Sequence, residues 1–190
     1  MSDLGLLHHF LGIEVYQDKS GIFICLRRYA ENILKKFSMY GCKTFDIPVV
    51  VNEKLKKEDS GKLVDESLSI SLVGSLFYLK ATRSELMFDV GLLSRFMSKP
   101  THSHLGAAKT VLRYIMGTLE HKIIFEKNAK IEFKGYCDSD WARSVDDMKS
   151  TSGYVFSLVL GVISWCSKKQ DTIAQSSAEV EYFTAGLVTQ

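Results

Sequence analysis

The chain has 190 residues, 46% of them hydrophobic and 24% charged, enough to bury one sizeable core or two small ones. A formal net charge of +2 gives no bulk-charge case for a nucleic-acid partner and leaves only a local basic face open. The apolar runs at 76–79 and 155–163 are too short to span a bilayer. Cysteines at 25, 42, 137 and 166 form no zinc-type pair, so reduced thiols in an intracellular protein are expected.

Residues 10–24 read as two short strands around the polar turn Gln17-Asp-Lys-Ser20. Tyr29, Ala30, Ile33, Leu34 and Phe37 then recur at helical spacing, with Arg27, Arg28, Glu31, Lys35 and Lys36 on the other side and Gly41 as the stop. Residues 48–66 are rich in lysine and aspartate and read as a long surface loop. Helices are predicted over 72–80, over 84–97 before Pro100, and over 103–116, where Ala107, Ala108, Val111, Leu112 and Ile115 share a face.

From His121 the period changes. Residues 122–126, 131–137, 153–160 and 162–166 are β-branched and aromatic, with Gly161 expected to make a tight hairpin between the last two. A final helix starts near Ser176. The fold class predicted is α+β, with a division near residue 120.

Asp138 and Asp140 lie at a strand end, and positions i and i+2 of a strand face the same way. Ser176 and Glu179 have capping-box spacing, which leaves Glu181 free on the same helix. Carboxylates from a strand end and a following helix can converge on magnesium, whose hard-oxygen preference and two-metal chemistry suit phosphodiester cleavage. Read as plain structure, the same residues are a turn after a strand and a favourable helix N-terminus.

The four stretches Gly135-Tyr-Cys-Asp-Ser-Asp-Trp-Ala142, Lys149-Ser-Thr-Ser-Gly-Tyr-Val-Phe156, Ile163-Ser-Trp-Cys-Ser-Lys-Lys-Gln170 and Ser176-Ser-Ala-Glu-Val-Glu-Tyr182 resemble the ribonuclease H region of copia-type retrotransposon Pol polyproteins. Upstream, Asp3-Leu-Gly-Leu-Leu-His-His-Phe-Leu-Gly-Ile-Glu-Val15, Leu72-Val-Gly-Ser-Leu-Phe-Tyr-Leu79 and Ala107-Ala-Lys-Thr-Val-Leu-Arg-Tyr114 resemble the reverse transcriptase segment before it. The resemblance covers nearly the whole chain in order.

It implies that residues 1–120 are a primer-grip, thumb and connection region, mostly helical with an N-terminal β-hairpin. Residues 121–190 would be the N-terminal part of a ribonuclease H-like domain, a mixed sheet with one helix. Asp138 would be the first metal-binding aspartate, Glu181 the helix glutamate, Asp140 a possible further metal contact and Glu179 a cap, with Mg2+ as cofactor. The implied partners are an RNA–DNA hybrid or primer–template duplex and the remainder of the polyprotein, with no membrane.

The reverse transcriptase Tyr-x-Asp-Asp hairpin is absent from these residues, and Ser144-Val-Asp-Asp147 mimics it in what is expected to be an ordinary linker. Further carboxylates of the ribonuclease H site are expected from beyond Gln190, so the isolated chain is expected to catalyse neither reaction. The alternative is a non-catalytic module binding nucleic acid or a protein. The sequence also departs from the family pattern: Ser69-Ile70, Ser84, Leu105 and Met148 stand where Tyr-Arg, proline, tryptophan and arginine are usual. Trp141 and Trp165 are expected to fill the β core, and the five histidines to serve surface or packing roles.

Overall fold

The computed structural model describes residues 5–48, 55–57 and 60–189. Among the described residues, two antiparallel sheets and five α-helices make the α+β class that the sequence predicts.

The first sheet begins with β1 (His9–Phe10), β2 (Ile13–Gln17) and β3 (Gly21–Cys25). Asp18 makes the β2–β3 turn, its carboxylate accepting from the backbone N–H of Ser20 at 2.7 Å and of Gly21 at 3.1 Å. The sheet order is β1-β2-β3-β4, where β4 is Ile123–Glu126. Thus β4, read from sequence alongside the later strands, pairs instead with β3, Ile24 opposite Ile123. Pairing between segments so far apart in the chain leaves no local trace in the sequence.

Four helices build the principal core. They are α1 (Arg27–Lys36), α2 (Glu66–Leu79), α3 (Met87–Ser94, led by a 3₁₀ turn at Ser84–Leu86) and α4 (His102–Gly117). Leu34, Leu72, Leu76, Leu79, Leu112 and Ile115 are fully buried between them. The amphipathic stripe of α4 faces this core as its spacing predicts. Helix α2 starts six residues earlier than predicted because Asp65 caps it, accepting from the Ser67 N–H at 2.9 Å. His104 does take a packing role: its Nδ1 accepts from the Thr101 N–H at 3.1 Å and its ring stacks on Phe96.

The second sheet has the order β5-β6-β7, formed by Phe133–Asp140, Thr151–Leu158 and Gly161–Lys169, with α5 (Ser177–Val188) packed on it. Its three strands are antiparallel throughout, where a mixed sheet was expected. The β6–β7 turn is made by Val159, which takes the positive φ of 61°, and not by Gly161. Gly161 has a different reason to be glycine: a Cβ there would lie 2.4 Å from the Phe125 ring and 2.8 Å from the Ile124 carbonyl, so its smallness lets β7 approach β4.

The opposite face of this sheet meets the helical core through α3 and β7. Trp165 donates its indole N–H to the carbonyl of Lys80, the C-cap of α2, at 3.0 Å. Trp141 departs from its expected core role. Its side chain is 51% exposed and its indole N–H donates to the Ala174 carbonyl at 3.1 Å, clamping the loop before α5.

Candidate functional site

The strand β5 extends to Asp140, so Asp138 and Asp140 lie within the ladder, opposite Gly153 and Thr151 of β6. Alternation along the strand divides its end between two faces. Ser139 faces α5 and donates its hydroxyl to Glu181 Oε1 at 2.6 Å. Asp138 and Asp140 take the other face. There Asp140 Oδ2 pairs with Arg143 Nη1 at 3.0 Å, and the Arg143 guanidinium lies 5.3 Å from the centre of the Phe88 ring on α3.

Helix α5 is held at its N-terminus and along its buried face. Ser176 caps it by accepting from the Glu179 N–H at 3.2 Å, and Glu179 Oε2 accepts from the Gln175 N–H at 2.6 Å, one residue before the cap. The cap sets the rotation that turns Glu181 toward Ser139. In the interior, Val180 and Thr184 are buried against the sheet.

Glu181 therefore stands beside the residue that follows Asp138, and a serine hydroxyl lies on its carboxylate. Both groups offer hard oxygen, the donor type that magnesium takes. Among the described residues, no group of three or more His, Cys, Asp or Glu side chains comes together as a metal cage. Ser144-Val-Asp-Asp147 is structural in its contacts: Asp146 accepts from the Lys57 backbone N–H at 3.1 Å, and Asp147 pairs with Lys169 at 2.6 Å. Burial works against ionisation of Asp147 but is outweighed by hydrogen bonds from Lys169 and Ser144, which hold its carboxyl down at about 2.

Three neighbours of these carboxylates escape a sequence reading. Ser139 looks like a spacer between two aspartates. Thr151 is buried with a hydroxyl that lacks a partner. Asp89 is a carboxylate inside the apolar run Met87–Ser94 of α3, and burial lifts its carboxyl to about 7, Arg143 lowering and Glu85 raising it further. An acid within an apolar helical stretch is the one signal that could have drawn attention to it.

The reverse transcriptase (RNA-dependent DNA polymerase) family matches residues 1–51. An uncharacterised mitochondrial protein of Arabidopsis thaliana is 39% identical over 96% of this chain and 75% of its own length. The retrovirus-related Pol polyprotein from transposon RE1 of Arabidopsis thaliana is 40% identical over 93% of this chain, and that from transposon TNT 1-94 of Nicotiana tabacum is 34% identical over 97%. The aligned region covers only 12% and 14% of those polyproteins. No solved structure matches the chain significantly. No helix among the described residues is long and apolar enough to cross a membrane.

Proposed function

This chain belongs to the retrovirus-related Pol polyproteins of copia-type retrotransposons, and from that membership we propose that it forms the junction between reverse transcriptase and ribonuclease H. In this reading the first sheet and helices α1–α4 contact a primer–template or RNA–DNA duplex. The second sheet and α5 carry the opening part of a ribonuclease H-like site. The observation that carries the reading is the sequel of β5 bearing Asp138, the β6–β7 hairpin, and a capped α5 whose Glu181 lies against Ser139.

The family resemblance assigns Mg2+ to Asp138 and Glu181, but strand alternation turns Asp138 to the face away from α5 and Arg143 already engages Asp140, so this arrangement does not bring the carboxylates onto one ion. The chain's own part is positional. The β5 ladder fixes Asp138, and the α5 cap and Ser139 fix the carboxylate of Glu181. Two carboxylates fall short of the set that two-metal cleavage uses, so the 190 residues alone are proposed to be inactive.

The test is cleavage of an RNA–DNA hybrid with magnesium, by the chain alone and by a Pol polypeptide that continues on both sides of it. We expect cleavage only by the longer protein, and its loss in an Asp138→Asn, Glu181→Gln variant. Cleavage by the bare chain, or persistence in the double variant, would overturn the proposal.

A further inference from the structure

A cavity of about 570 Å³ lies between α3 and the face of the second sheet turned away from α5. Its walls are largely apolar and include Met87, Phe88, Tyr136, Val155 and Trp165. Two polar side chains in these walls are 95% withdrawn from solvent, and one of them holds an orphaned hydroxyl. Asp89 is 5% exposed and lines the cavity, with the Arg143 guanidinium and the Glu85 carboxylate as its charged neighbours. Thr151 is likewise 5% exposed, and its Oγ1 has no partner. Buried groups are nearly always paired, so the orphaned Thr151 hydroxyl and a carboxylate held out of bulk water in the wall of the same cavity point to a partner that enters it.

The charges around the cavity give that partner a sign. Glu85, Asp138 and Asp140 line it together with Asp89, and Arg143 is the one cation among its described lining residues. Arg143 is already drawn off by Asp140 and by the Phe88 ring. An anion would meet this acidic surplus, and a purely apolar guest would leave the Thr151 hydroxyl without a partner. A bare metal ion finds no three-carboxylate cage among the described residues.

We propose that this cavity binds a small organic cation with a flat apolar body, its N–H groups donating to Asp89 and its ring resting on the aromatic wall. A charge-assisted, bidentate bond of the amidinium–carboxylate type is the strongest pairing available to a buried carboxylate. A flat ring suits a pocket walled by aromatic side chains. The cavity shares Asp138 and Asp140 with the ribonuclease H reading, so the titration is run without magnesium, and Asp89→Asn tests the cation's own contact while leaving Asp138 and Glu181 intact.

The test is titration of the full chain with benzamidine at about pH 8, where Asp89 is ionised, followed by calorimetry and tryptophan fluorescence. Arg143, Glu85 and Tyr114 are the charged or titratable groups coupled to Asp89 across the site. Neutral benzamide and the Asp89→Asn variant serve as comparisons. The expected result is saturable one-to-one binding at millimolar concentration or below, weakened about tenfold or more by either change. No saturation, equal affinity for benzamide, or unchanged affinity in Asp89→Asn would overturn the proposal. Should circular dichroism show Asp89→Asn to be unfolded, the benzamidine–benzamide contrast on the unaltered chain and a Thr151→Val variant decide it by the same criteria.

Discussion

Ser152 and Thr184 meet hydroxyl to hydroxyl at 2.7 Å in the seam where α5 crosses the second sheet, and both are buried. Ser152 also accepts from the Gln170 side-chain amide at 2.8 Å, while Thr184 donates to the Val180 carbonyl one turn earlier. This short polar chain joins the middle strand, the β7 exit and the helix that carries Glu181. Thr184→Val keeps the shape and removes the hydroxyl, which leaves Ser152 one partner short. The expected cost is about 1–3 kcal/mol in urea unfolding, and Thr184→Ser should recover most of it. A change in the NMR environment of Ser139 and Glu181 in the valine variant would show that the seam also positions the site.

Asp89 makes stability fall as pH rises. Its folded carboxyl lies at about 7, above the ordinary aspartate value of 3.8, so the folded state holds the proton more tightly. The stabilising effect of that proton is full below about pH 4 and is lost progressively as pH rises through 7. Asp89→Asn should therefore be more stable than the parent by a margin that grows across this window and levels off above it, with a ceiling of about 4 kcal/mol. Urea midpoints at several pH values read this directly; a margin that does not depend on pH would sink the account.

Asp147 behaves in the opposite sense. Its folded carboxyl lies at about 2 despite the opposing effect of burial, because Lys169 donates to it at 2.6 Å and Ser144 adds a further hydrogen bond. The stabilisation is present above about pH 4 and is lost as pH falls toward 2. The pair is partly exposed, so its worth is only about 0.2–1 kcal/mol. Lys169→Met should raise the Asp147 carboxyl midpoint in an NMR titration and cost stability by no more than that amount.

The elements whose period is local were legible in the sequence. The buried stripe of α4, the capped start of α5 and the alternation that separates Ser139 from its neighbouring aspartates all follow from spacing within a dozen residues. What was hidden depends on distant partners. Nothing near Ile123 says that it will pair with Ile24, and nothing near Asp89 says that the second sheet will close over α3 and take the carboxylate out of water. Trp141 was misplaced for a similar reason: its partner is a backbone carbonyl at Ala174, beyond the reach of any pattern around the tryptophan itself. Gly161 was recognised as special but for the wrong cause, since turn chemistry and close approach favour the same residue.

That close approach gives the sharpest steric test. Gly161 lets the β7 hairpin lie against β4 and so brings the second sheet to the first, with Phe125 and the Ile124 carbonyl occupying the space a side chain would need. Its backbone φ is not in the left-handed region, so conformational strain makes no contribution and the whole effect of a substitution is collision. Gly161→Ala should cost about 1–3 kcal/mol in urea unfolding, in the range of other overpacked sites. Trimming the obstructing ring tests the cause, because Phe125→Leu in the same chain should restore part of that loss, the Ile124 carbonyl still being close. If the two changes instead add, the contact between the sheets does not run through this glycine.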